Sequence, residues 1–104
     1  MSQLETDLEY LFAKRVRMAG GMSFKLVAAG RAGLPDRLVV LPVGRIYLVE
    51  LKTDSGERSD IQVLLHERLA ALGVHVHLVA GRAGVVRWVN ERVNEDQPLR
   101  GRTR

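Results

Sequence analysis

Asp36, Glu50 and Lys52, in the run GLPDRLVVLPVGRIYLVELK (33 to 52), are the residues whose types and spacing could do chemistry. Side chains alternate faces along a strand, so Ile46, Leu48, Glu50 and Lys52 would share one face of the second apolar run, and Asp36, Leu38 and Val40 one face of the first. An antiparallel register that sets Asp36 opposite Glu50 also pairs Leu41 with Arg45. It leaves the loop Pro42-Val43-Gly44, whose length suits a type I turn followed by a left-handed residue, with Pro first and Gly last. A two-residue loop would move Asp36 opposite Leu51 and put the acids on different faces. Carboxylates about 5 Å apart on neighbouring strands repel each other unless a cation lies between them. Mg²⁺ answers that need, because it takes hard oxygen ligands, commonly one or two carboxylates with water and phosphate in the remaining positions. Lys52, about 6 to 7 Å further along the same face, could orient an attacking water or counter charge developing at phosphorus. The bland alternative makes Glu50 and Lys52 the polar ends of a half-exposed strand and Asp36 a turn residue. Against it, IYLVELK is apolar on both faces, and a buried acid beside a buried lysine requires a reason.

The elements that would position these groups are legible in the periodicity. Leu4, Leu8, Leu11, Phe12 and Ala19 mark an amphipathic helix over residues 3 to 19, ended by Gly20-Gly21. MSFKLVA reads as a strand and AGRAGLP as a glycine-rich loop. Strands over about 36 to 41 and 46 to 52 follow. A second helix is expected over 57 to 72, with Ser59 and Gln62 as a capping box and Ile61, Leu64, Leu65, Leu69 and Leu72 turned inward. Gly73 stops it, VHVHLVA is a further strand, and VVRWVNERV suits a short helix better than a strand. The expected fold class is α/β, an αβββαβ core with a mixed central sheet flanked by helices. One domain is expected over 1 to 89, with a flexible basic tail over 90 to 104.

Composition narrows the function classes. A chain of 104 residues suits one domain with a modest core. Sixteen Lys and Arg against twelve Asp and Glu give a formal charge of +4, and thirteen of the cations are Arg. That balance favours a polyanionic partner, although a small cationic excess also serves solubility. The absence of cysteine excludes disulfides and thiolate zinc sites. No apolar run approaches the roughly 20 residues of a membrane span, and the acidic N-terminus is unlike a signal peptide, so no membrane partner and a cytoplasmic location are expected.

Pro35-Asp36 followed by Glu50-Leu51-Lys52 resembles the PD-(D/E)xK nuclease signature, and the wider pattern is similar to the virus-type replication-repair nuclease, or VRR-NUC, domain. The ordered set is Glu9, Gly20-Gly21, Lys25, Gly33-Leu34-Pro35-Asp36-Arg37, Pro42-Val43-Gly44, Glu50-Leu51-Lys52 and Gln62, within about residues 5 to 80. The resemblance implies a restriction-endonuclease-like fold and a metal-dependent deoxyribonuclease. Asp36, Glu50 and the Leu51 carbonyl would hold Mg²⁺, with Mn²⁺ able to substitute. Lys52 would position or activate water, and Gln62 and Glu9 would complete the catalytic set. Lys25, Arg31, Arg37 and Arg58 are the expected DNA-binding cations. Stand-alone members resemble homodimeric Holliday-junction resolvases, which implies branched DNA as substrate, a homodimer, and the cytoplasm of a bacterial or phage-infected cell. The alternatives are a non-catalytic DNA-binding or assembly module on the same fold, and a small basic interaction protein whose acids form ion pairs.

On their own, Gln62 and Glu9 flank the apolar arcs of their helices and would equally suit solvent, and Glu5 reads as a surface acid. Lys25 would touch a phosphate or snorkel to water. His75 and His77 share a strand face without a third ligand near in sequence, and an exposed or interface role is favoured over a metal site. Both GRAG copies, 30 to 33 and 81 to 84, lack the lysine and spacing of a P-loop and read as turns. Val85, Val86, Trp88 and Val89, with Tyr47 or Val49, are expected to form an isologous dimer surface; the alternative is the far side of a single core.

Overall fold

The short loop between the two central apolar runs sets the register of the whole sheet. In a computed structural model describing residues 3–27, 31–53 and 57–96, Arg37–Leu41 (β2) pairs antiparallel with Arg45–Lys52 (β3), with Leu41 opposite Arg45 and Arg37 opposite Val49. Carried on by one residue, that register faces Asp36 toward Glu50, as the turn length predicts. The turn itself differs from expectation. Left-handed φ falls on Val43 (62°) as well as Gly44 (73°). Pro42 has its own φ locked by the ring, so the reversal is taken up by the two residues after it, and a β-branched residue there is strained.

Met22–Lys25 (β1) pairs antiparallel with β2, and Val76–Ala80 (β4) lies parallel to β3, giving the order β1-β2-β3-β4. A parallel neighbour needs a crossover, and Asp60–Ala71 (α2) supplies it. Gln3–Met18 (α1) precedes the sheet and Gly81–Asp96 (α3) follows it. The expected mixed α/β architecture is therefore present, and the helix expected at VVRWVNERV is part of the longer α3. The helix α1 closes as Arg17 and Val16 carbonyls accept the amides of Gly20 and Gly21 (2.9 and 3.0 Å) with Gly20 at φ +87°. A Cβ on Gly21 would stand 2.4 Å from the Val40 carbonyl, so only glycine lets the chain enter β1 there. The second helix starts at Asp60 rather than near 57, because the Ser59 and Gln62 capping box defines its first turn. The second GRAG, read as a turn, forms the first turn of α3. Gly81 (φ +71°) turns the chain sharply out of β4, and Gly84 is buried beside Val79.

One sheet face carries Val39, Leu41, Val49, Leu51 and Val79. It is covered by Leu8, Phe12 and Val16 of α1 and by Val85, Trp88 and Val89 of α3. The Phe12 and Trp88 rings stand 5.7 Å apart and Tyr47 meets Trp88 edge-on at 5.3 Å. Burying each such side chain contributes about 1.5–3 kcal/mol. The dimer surface expected from Val85, Trp88, Val89 and Val49 is therefore overturned. These residues are buried within the protomer, as the single-core alternative holds. The opposite face is only partly covered by α2, and Met22, Phe24 and Ile46 on it are 60%, 44% and 64% exposed.

The inward stripe of α2 also differs. Of the five apolar residues expected inward, Leu65 is buried and Leu69 half-buried, while Ile61, Leu64 and Leu72 face out. The stripe runs instead through Gln62, Leu65, His66 and Leu69, because two polar residues replace apolar ones at the positions over the acids. The α3 helix runs on to Asp96, so the domain boundary expected between residues 89 and 90 falls inside a helix. The last part of the expected 90 to 104 tail, from 97 on, the side chain of Leu4 and Gly30 of the first GRAG lie outside the described residues. Among the described residues no helix is long and apolar enough to cross a membrane.

Candidate active site

At the end of the sheet where β2 begins and β3 finishes, a cleft of about 420 Å³ is lined by Glu9, Asp36, Glu50, Lys52 and Gln62 together with Glu5, Leu8, Leu51, Thr53 and Glu57. The chain reaches it by local rules. Pro35, fully buried, offers no amide, and Asp36 is tied on both sides. Its backbone carbonyl accepts the Leu26 amide (2.8 Å) and its Oδ2 accepts the Leu51 amide (2.8 Å). A side chain thus continues the β2–β3 ladder past its last backbone pair and pins the Asp36 carboxylate beside Glu50.

Glu50 is 1% exposed. Its Oε2 accepts Gln62 Nε2 at 2.6 Å and lies 3.4 Å from Lys52 Nζ, which in turn donates to Gln62 Oε1 at 2.8 Å. The same Gln62 Oε1 accepts the Ser59 amide at 3.0 Å. One glutamine therefore caps α2, holds the lysine and holds the acid. Burial pushes the Glu50 carboxyl up to about 7, Asp36 adds to the rise, and Lys52 opposes it. Among the described residues Glu50 Oε1 is buried with no hydrogen-bond partner.

Glu9 enters from α1 on the opposite sheet face. Its Oε1 lies 3.3 Å from Arg37 Nη2 and 3.5 Å from Lys25 Nζ. Of the four expected DNA-binding cations, Arg37 is 11% exposed at its side chain and committed to Glu9 and to Ser23 Oγ, behind the residues that line the cleft. Lys25 remains more than half exposed. Arg31 lies elsewhere, lining a groove with Ile61, Leu64 and Arg68. The guanidinium of Arg58 reaches His66 Nδ1 at 3.1 Å.

His66 escaped the sequence reading although it lies one helical turn beyond Gln62, a spacing that puts both on one face. It is 6% exposed, with Nε2 3.9 Å from Glu50 Oε1. Burial first, then Arg58 and Lys52, lower its proton affinity, against an opposing pull from Asp36. His75 and His77 lie away from the cleft with their rings 4.7 Å apart. His77 Nδ1 accepts Trp88 Nε1 at 3.0 Å, and burial, then His75 and Arg92, push the ring down to about 4 against Glu95. His77 is thus packed against the core edge.

No family model matches the chain. A search of curated proteins finds "Putative nuclease p44" of Acyrthosiphon pisum secondary endosymbiont phage 1, 43% identical over 72 residues, which are 69% of this chain and 77% of that protein. Among solved structures, one described as a VRR_NUC domain superposes with a TM-score of 0.76 at 33% identity, covering 86% of this chain and 97% of the other. With 97% of a VRR_NUC structure matched in fold at that identity and a phage nuclease relative at 43%, the chain belongs to the VRR-NUC family of nucleases.

Proposed function

We propose that the chain is a Mg²⁺-dependent endonuclease that hydrolyses DNA phosphodiesters, favours branched DNA in the manner of a Holliday-junction resolvase, and works in the cytoplasm of a bacterial or phage-infected cell. The observation that carries this is Glu50, a buried acid beside a second acid and a lysine, with one oxygen left unpartnered. No group of three or more His, Cys, Asp or Glu fit to hold a metal occurs among the described residues. The donors on offer are two carboxylates, Asp36 and Glu50, and the Leu51 carbonyl. That all-oxygen set fits Mg²⁺, which retains several waters, better than Zn²⁺. When bound, the cation would neutralise the acidic pair, polarise the phosphate and lower the pKa of a bound water.

The chain's own residues do the rest. Lys52, held by Gln62 and Glu50, keeps its ammonium at the cleft, where it orients the attacking water and counters charge on the phosphate. Glu9 pairs with both Arg37 and Lys25, and Lys25, the more exposed of the two, is the cation that would meet the strand backbone. Arg31 and Arg58 extend the cationic surface, consistent with the net charge of +4. A homodimer fits the sheet face where Met22, Phe24 and Ile46 are exposed among the described residues, because monomers rarely expose a large apolar patch.

Cleavage of a panel of duplex, flap, splayed-arm and four-way substrates, by wild type and by Asp36→Asn, tests this function. Asn keeps the acceptor for the Leu51 amide and removes the charge. Cutting that needs Mg²⁺ or Mn²⁺, prefers the four-way substrate and disappears in Asp36→Asn is expected. Metal-independent cutting, or wild-type turnover by Asp36→Asn, would overturn the site. DNA binding without cleavage in any metal would point to the binding module.

A further inference from the structure

The two oxygens of Glu50 are served unequally. Oε2 receives Gln62 and Lys52, whereas Oε1 has no hydrogen-bond partner among the described residues. A complementary group, His66 Nε2, stands 3.9 Å away, likewise buried and without a partner among the described residues. That separation is about 1 Å too long for a hydrogen bond, so two buried polar atoms face each other across a gap that a small side-chain shift closes. The tautomer is decided from the other side of the ring. Arg58 Nη1 lies 3.1 Å from His66 Nδ1, and a guanidinium has only donors, so Nδ1 accepts and the neutral ring carries its proton on Nε2, toward Glu50.

We infer that His66 is a positioning residue for Glu50, donating Nε2–H to Oε1 so that the carboxylate is held at both oxygens when it binds the cation, with Arg58 fixing the ring that does so. Gln62 and His66, one turn apart on α2, then grip the acid together. Hydrogen-bonding partners of metal-binding groups fix their orientation, and losing one typically weakens metal affinity 10- to 100-fold. The inference rests on the metal-site reading above. Its competitor is that His66 merely fills space between α2 and the sheet.

Calorimetric titration of the intact protein with Mn²⁺ separates the two. His66→Met keeps bulk and removes the donor, and His66→Gln restores an N–H near the Nε2 position. The expected result is a 10- to 100-fold weaker Mn²⁺ affinity in His66→Met and recovery to within a few-fold of wild type in His66→Gln, with metal-free melting of both close to wild type. Equal affinity in wild type and His66→Met, or failure of His66→Gln to recover it, overturns the inference while leaving the metal site standing. Wild type that takes up no Mn²⁺ overturns both. Should His66→Met fail to fold, Arg58→Met, altered on the exposed side of the ring, is expected to weaken Mn²⁺ several-fold, and unchanged affinity there overturns the role given to the tautomer.

Discussion

Replacing Glu50 by Gln in metal-free protein should change how stability depends on pH, and the structure sets both sign and size. In the folded chain the Glu50 carboxyl rises from an ordinary 4.5 to about 7, because burial and the neighbouring Asp36 disfavour the anion more than Lys52 favours it. Between those values the folded state holds a proton that the unfolded state has released. Stability from this group is therefore fully present below pH 4.5 and is lost as pH rises through 7. Each tenfold change in proton affinity is worth about 1.36 kcal/mol, so the loss is on the order of 3 kcal/mol. Gln at 50 can still accept from Gln62 and does not titrate. Urea unfolding in EDTA at pH 5 and pH 8 should show the variant gaining on wild type by about 2–3 kcal/mol between the two. Taking the variant minus wild type removes the titrating groups that do not touch Glu50 from the comparison. A difference that stays constant with pH, or one that moves in favour of wild type from pH 5 to pH 8, would refute the argument that Glu50 is a buried acid awaiting a cation.

Lys52→Ala should slow cleavage by about two to four orders of magnitude while leaving DNA affinity nearly unchanged, since its charge acts at the reacting phosphate and binding is spread over many arginines; gel-shift affinity falling in step with rate would make it only a phosphate anchor. Val43→Gly should stabilise the hairpin by about 1 kcal/mol without altering cleavage, because Val43 is 82% exposed and held at φ 62°; an unchanged or lower melting temperature would mean the turn carries no strain. If the bare sheet face is the dimer surface, Ile46→Lys should give monomers in sedimentation at micromolar concentration where wild type is dimeric, and Arg87→Glu, on exposed α3, should not. A wild-type monomer, or a dimer untouched by Ile46→Lys, would discard that surface.

Short-range pattern carried much of what was legible in the chain. Alternation along IYLVELK and a three-residue loop ending in Gly44 sufficed to set Asp36 toward Glu50, because strand register follows from loop length and faces repeat every second residue. Ser59 and Gln62 announced the start of α2 for a similar reason, as capping bonds span only three residues. What sequence left open depends on which surfaces meet. Val85, Trp88 and Val89 are equally apolar whether they face a partner or their own sheet, and only the packing of α3 beside α1 assigns them to the core. His66 reads as a polar residue on a helix until α2 is docked over β3, when it stands against Glu50. Arg37 is one cation among sixteen until Glu9, 28 residues earlier, takes hold of it. Periodicity is a property of neighbours in the chain, whereas the charge and hydrogen-bonding of a buried site depend on residues that only the tertiary fold brings within a few ångströms.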